Sequence, residues 1–314
     1  MELIEKALAK ARAEGARGAA EPAQSESVSA PVPEPVAQPA SAAPAATAPV
    51  PQPQPAPAAP ASVPPGELGQ IAYSQTQVSA ASSAVWADNR LVAHLHNRNA
   101  DLFRILRTKV LQEMRENNWR TLAVVGATSG VGNSTIASNL ALSIALDSNQ
   151  TVLLVDADLR KPRVATYFGL SPSKGLGDYL SADIPVQDLL INPGVERLVL
   201  LPATGSYSNS TELLGSRKMS TLVGELRSRY ESRLVMFDLP PLLASGDALG
   251  FLPQFDCALL VVENGGNTAA QLKEATRLLE KTKLLGWVLN KADAGLGSYY
   301  YRHYGNSAYY AEKA

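Results

Sequence analysis

The chain has 314 residues, a formal net charge of −1 and a single cysteine. That balance gives no support for general nucleic-acid binding, and one cysteine excludes an internal disulfide and suits a reducing compartment. No apolar run approaches the roughly 20 residues that span a bilayer, and the charged start MELIEKALAKARAEGAR has no signal-peptide core. The expectation is a cytoplasmic protein that reaches the inner membrane only through a partner.

Residues 1–18 read as an amphipathic helix, because Leu3, Ile4, Ala7, Leu8 and Ala11 recur at helical spacing. A helix this short is marginal alone, so both a frayed end and a docking peptide fit it. Residues 19–66 follow as a Pro/Ala-rich linker: 14 of the 22 prolines lie between Pro22 and Pro65. Such a stretch buries too little apolar surface to offset its ordering entropy, which predicts disorder. Residues 67–292 carry the one domain with a sizeable core.

Within that domain, Leu102, Ile105, Leu106, Val110 and Leu111 form an apolar stripe on a helix ending near Glu116. Strands and helices then alternate. Thr121–Gly126 reads as a strand, Ser134–Leu146 as a helix and Thr151–Val155 as a strand. Glu196–Leu201 is another strand, followed by one helix from about Thr211 to Tyr230. Arg233–Phe237, Asp256–Val262 and Gly286–Leu289 are short apolar strands, with a helix in Thr268–Thr282 between the last two. This alternation predicts an α/β fold with a mostly parallel sheet and helices on both faces. Cys257, inside CALLVV, reads as a core residue.

The chemistry gathers at strand ends. VVGATSGVGNST is a strand, a glycine-rich turn and a helix start, the layout of a phosphate-binding loop. Gly130 and Gly132 permit close backbone approach, while Asn133, Ser134 and Thr135 open a helix whose free N–H groups favour an anion. The loop's usual lysine is replaced by Asn133. LLVDADLRKP ends a strand in Asp156 and Asp158, two residues apart and so on one face of an extended chain. Carboxylates there suit Mg²⁺ or a base for a hydroxyl; the alternative is a solvated pair facing Arg160 and Lys161. RLVMFDLPP ends in Asp238, a second Mg²⁺ holder or a plain loop acid. Asn290, at the end of GWVLN, offers an amide to a purine edge.

Together, in this order, these stretches resemble the bacterial tyrosine kinases of capsule and exopolysaccharide export, P-loop proteins related to the partition ATPases. LLVDADLRKP is similar to that family's second acidic motif, VMFDLPP to its strand-end aspartate, and PATGSYSNSTELLGS to the segment between them. The resemblance implies ATP/ADP and Mg²⁺ as cofactors. Asp156 and Asp158 would be catalytic; Ser134, Asp158 and Asp238 would hold the metal; Gly130, Gly132, Asn133, Ser134, Thr135 and Asn290 would hold the nucleotide.

DLFRILRTKV matches the family's oligomerisation helix at Asp101, Arg104 and Arg107, with Asp in place of Glu, which implies a homo-oligomer. SYYYRHYGNSAYY puts Tyr299, Tyr300, Tyr301, Tyr304, Tyr309 and Tyr310 in a tail of residues 293–314. In the family such tyrosines are phosphorylated by a neighbouring subunit, beside a membrane chain-length (polysaccharide co-polymerase) protein.

Asn133 is neutral and shorter than lysine, so the implied outcome is nucleotide binding with kinase activity weakened or lost. Arg160 or Lys161 is left to reach into the loop. A fully active autokinase is one alternative. A partition-type ATPase is another, although that relative carries an early loop lysine where this chain has Thr128 and has no use for the tyrosines.

Overall fold

In the computed structural model the described residues are 76–292, apart from 148–149, 183 and 229–232. The N-terminal helix, the linker and the tyrosine tail therefore lie outside the described residues.

The strands are β1 (Gln77–Val78), β2 (Thr121–Gly126), β3 (Thr151–Asp156), β4 (Ile191–Asn192), β5 (Leu198–Leu201), β6 (Arg233–Leu239), β7 (Cys257–Glu263) and β8 (Lys283–Asn290). They form one sheet in the order β1-β4-β5-β3-β6-β2-β7-β8. Every pairing is parallel except β4 with β5. The helices are α1 (Ser83–Asp88), α2 (Arg98–Glu116), α3 (Asn133–Asp147), α4 (Val164–Tyr167), α5 (Leu176–Ser181), α6 (Ser210–Leu214), α7 (Arg217–Ser228) and α8 (Ala269–Leu278).

The central strands are apolar at every position because both faces are covered. In β2, Leu122 and Val124 join a core shared with α2 and α3, whereas Ala123 and Val125 join the opposite core under α5 to α8. This is the period-two pattern of a strand buried on both sides. Helix α3 is buried nearly all round: Ile136, Ala137, Leu140, Ala141, Ile144 and Ala145 are covered, and so are Ser138, Asn139 and Ser143. It lies against β2, β3 and β6 and is covered by α2. A helix without an exposed polar face needs such a double cover.

Helix ends follow local chemistry. Asn97 caps α2 by accepting from the Ala100 N–H at 3.0 Å, worth ~1 kcal/mol. Thr268 and Gln271 form a reciprocal capping box on α8.

Several sequence-based boundaries shift. The single helix expected over about 211–230 is two, α6 and α7, with Gly215 closing the first. On α2 the buried positions are Ala100, Val110, Leu111 and Met114, while Leu102 of the expected stripe is 40% exposed. The last strand begins at Lys283, three residues early, as the sheet's edge. No helix among the described residues is long and apolar enough to cross a membrane.

Candidate phosphate-binding site

The order β3-β6-β2 brings three strand ends together. The glycine loop follows β2, the Asp156 motif ends β3, and between them β6 carries Asp238 in register with Asp156. This carboxyl edge is where ligands bind in open α/β sheets.

The loop is pinned from three sides. Leu242 and Leu243 donate their N–H groups to the Gly126 and Ala127 carbonyls, at 2.9 and 3.1 Å. Asn267 Nδ2 donates to Thr128 Oγ1 at 2.8 Å. Asn290 Nδ2 donates to the Val131 carbonyl at 2.7 Å. Gly130 and Gly132 have φ of 82° and 92°, in the left-handed region open to glycine. A Cβ on Gly132 would collide with Asn290 Nδ2, whereas one on Gly130 would meet nothing within 4 Å. The mouth of the loop is thus open at Gly130 and closely braced at Gly132.

Asn133 opens α3 and is 6% exposed. Its Nδ2 donates to Asp238 Oδ1 and to the Leu239 carbonyl, both at 2.8 Å. The side chain in the lysine position therefore turns inward, onto β6. Asp238 is fully buried, and its Oδ2 has no hydrogen-bonding partner among the described residues. Burial chiefly, then the charge of Asp156, pushes the Asp238 carboxyl well above its ordinary value; the Ser134 hydroxyl and Asn133 amide oppose the shift.

The two acids of the β3 motif lie close enough to interact but differ in burial. The strand stops at Asp156, so alternation no longer applies beyond it. Asp156 is fully buried and accepts backbone N–H groups from Asp158 (3.2 Å), Arg163 (3.0 Å) and Val164 (3.0 Å). Burial raises it to about 7, with Asp158 adding to the shift and those N–H groups opposing it. Asp156 thus shapes the 158–164 turn. Asp158 is half-buried, and one oxygen, Oδ1, accepts from the Arg160 and Lys161 N–H groups at 3.2 and 2.9 Å.

Arg160 is not free to replace the missing lysine. Its Nε and Nη2 clasp Asp247 at 2.6 and 3.2 Å, a charge-assisted two-pronged pair. Asp247 also accepts from Ser210 Oγ at 2.8 Å and from the Thr211 hydroxyl. These bonds outweigh burial and hold Asp247 down to about 2. Sequence reading missed Asp247; its only local signal was a lone acid in a loop.

Asn139 was missed too. Its Oδ1 accepts from the Val92 and Ala93 N–H groups and its Nδ2 donates to the Arg90 and Thr135 carbonyls, tying the α1–α2 connection to α3. Ser134 and Thr135 are half-buried, and Thr135 Oγ1 lies 2.8 Å from the Tyr167 hydroxyl. Asp101, Arg104 and Arg107, which the resemblance implied for oligomerisation, make contacts within the chain: Arg104 pairs with Asp101 and reaches the Leu95 carbonyl, and Arg107 donates to the Ser143 carbonyl at 3.1 Å.

Similarity to known proteins follows this geometry. Residues 122–303 match the family model described as the CobQ/CobB/MinD/ParA nucleotide binding domain. The chain is 30% identical over 66% of its length, and 90% of the relative's, to a putative tyrosine-protein kinase CapB of Staphylococcus aureus. The chain belongs to the bacterial tyrosine kinase family of capsule and exopolysaccharide biosynthesis. It is also 33% identical over 61% of its length to the tyrosine-protein kinase YwqD of Bacillus subtilis, covering 81% of that protein. Among solved structures, the chimerical protein CapA2B2 superposes with a TM-score of 0.60 at 28% identity, over 69% of this chain and 93% of that one. The P-loop NTPase-like fold, with its mostly parallel sheet, is that of the family.

The residues fit a magnesium nucleotide. The buried Asp238 Oδ2 is left without a hydrogen-bonding partner among the described residues, and Gly130 leaves the loop mouth open. Among the described residues no cluster of three His, Cys, Asp or Glu side chains forms a metal cage by itself. Mg²⁺ usually takes one or two carboxylates together with substrate phosphates.

Proposed function

We propose that this chain is a nucleotide-binding member of the tyrosine kinase family whose phosphoryl-transfer activity is weakened by Asn133. The inward-facing Asn133 amide, engaged on Asp238 and Leu239, is the observation that carries the reading. The loop N–H groups and the α3 N-terminus hold phosphate oxygens. Ser134, Asp158 and Asp238 would hold Mg²⁺, which when bound neutralises charge developing on the phosphate oxygens. Asp156 braces the turn that presents Asp158. Asn290 holds the loop through one Nδ2 hydrogen, which leaves its second N–H and its Oδ1 to face a base.

Phosphoryl transfer depends on positioning and electrostatic stabilisation, and loss of one such donor typically lowers rate by ~10²–10³. Of the two cations that could have substituted, Arg160 and Lys161, Arg160 is held by Asp247. On this reading the tail tyrosines, Tyr299 to Tyr310, accept phosphate slowly or from a more active relative. The protein regulates polysaccharide assembly in the cytoplasm, as an oligomer through α2 and beside a membrane chain-length partner. A partition-type ATPase is disfavoured because Thr128, at the early-lysine position, is occupied by Asn267.

The test is incubation of the purified chain with Mg-ATP and mapping of phosphotyrosine, beside Asn133→Lys and Asp156→Ala. The expected result is faint or absent labelling of the parent, with ~10²–10³ faster labelling in Asn133→Lys and none in Asp156→Ala. Equal rates in parent and Asn133→Lys would refute the weakened-kinase reading.

A further inference from the structure

A cavity of about 620 Å³ lies between the end of α1 and the 161–167 segment. Its lining includes three cations, Arg90, Lys161 and Arg163, against one acid, Asp88. All three cations are exposed, and no hydrogen bond or ion pair engages their side chains among the described residues. Pro162 and Tyr167 add an apolar and an aromatic wall. The two sides are clamped together, since Asn89 Nδ2 donates to the Thr166 carbonyl at 2.8 Å.

The cavity is built rather than incidental. Arg90 has φ of 65°, a left-handed conformation that costs a residue with a side chain ~1 kcal/mol or more and persists only where its surroundings enforce it. Asn139 enforces it by binding the Arg90 carbonyl at 2.9 Å. The Tyr167 hydroxyl, on the opposite wall, meets Thr135 of α3 at 2.8 Å. The pocket is thereby joined to the helix that starts at the phosphate loop, without using any of the loop's own N–H groups.

We infer that this pocket binds a phosphate monoester carried on an aromatic ring, namely a phosphorylated tyrosine of the chain's own C-terminal segment, from the same or a second copy. Three converging cations answer the charge of a phosphate, which is close to −2 at neutral pH. Arginine supplies the forked donors suited to phosphate oxygens. The volume far exceeds a bare phosphate and has room for a ring against Tyr167. The described chain ends just beyond Asn290, whose amide touches the glycine loop, and residues 293–314 carry the six clustered tyrosines. At ~3.3 Å per residue, 22 residues span at most ~70 Å when extended. The inference rests on the reading of those tyrosines as phosphate acceptors.

The test uses the full chain and synthetic peptides of residues 298–310, each phosphorylated on one tyrosine, with the unphosphorylated peptide and inorganic phosphate as controls. Binding is read by calorimetry, with and without Mg-ADP. At least one phosphopeptide is expected to bind ~10-fold or more tightly than either control. Lys161→Gln with Arg163→Gln should weaken it ~10-fold with an unchanged thermal midpoint, and Arg90→Gly, which relieves the left-handed strain, should weaken it ~10-fold without lowering the midpoint.

Equal binding of the unphosphorylated peptide overturns the proposal, as does full retention in both variants. Displacement by Mg-ADP would place the anion in the glycine loop instead. Inorganic phosphate binding as tightly as the peptide would mean a small-anion site only. The peptides arrive already phosphorylated, so a chain that never labels itself leaves this test intact.

Discussion

Replacing Asn133 with alanine tests whether the amide truly holds β6. The side chain is 6% exposed and its two acceptors, Asp238 and Leu239, are fully buried, so water cannot take its place. Each hydrogen bond is 2.8 Å long. A buried acceptor left unsatisfied costs ~1–3 kcal/mol, and two such acceptors give a loss of about 3 kcal/mol or somewhat more. For a domain of this size ~1 kcal/mol corresponds to ~2–4 °C, which places the fall in thermal midpoint at roughly 6–12 °C. Urea unfolding at neutral pH without nucleotide, followed by circular dichroism, measures the difference directly. A variant whose stability stays within ~0.5 kcal/mol of the parent, the range of an ordinary surface substitution, would refute the inward-facing role. The amide would then be available to a ligand, and the argument for a weakened kinase would lose its structural basis.

Other outcomes follow from the same site. Asp247 titrates near 2 in the fold against an ordinary value of 3.8. Its linkage contribution of about 2 kcal/mol is complete above pH 4 and disappears as pH falls towards 2. Asp247→Asn should therefore lose about that much at pH 6 and about half as much at pH 3 in urea titrations; identical pH slopes would count against the Arg160–Asp247 clasp. Asp156 has the opposite sign, because it is raised from 3.8 to about 7. Folding there favours the proton, so the parent loses stability between pH 4 and 7 and Asp156→Asn should escape that part of the decline; parallel stability curves would refute it. Gly132→Ala meets both the left-handed φ and Asn290 Nδ2. It should weaken nucleotide affinity and lower the thermal midpoint. Adding Asn290→Ala should restore only part of the loss, since the backbone strain remains; full rescue would show that the collision alone mattered.

What could be read from the sequence was whatever depends on neighbours along the chain. The apolar run Thr121–Gly126, the following glycines and the helix start appear where expected, because strand period, turn chemistry and helix-end preference are local properties. The acids at strand ends were legible for the same reason. Short elements such as β4 and α4 were not, since two to four residues carry too little periodicity to register.

The meaning of individual side chains was decided elsewhere. Asn133 is a missing lysine in sequence, but its role depends on Asp238, 105 positions away, brought beside it because β6 inserts between β3 and β2. Arg160 was a candidate replacement until Asp247, 87 positions on, was found to clasp it. Asn290 braces a loop 159 positions earlier. Local pattern sets which residues reach the carboxyl edge of the sheet. Strand order sets which of them meet, and burial then turns each meeting into a hydrogen bond, an ion pair or a raised carboxyl.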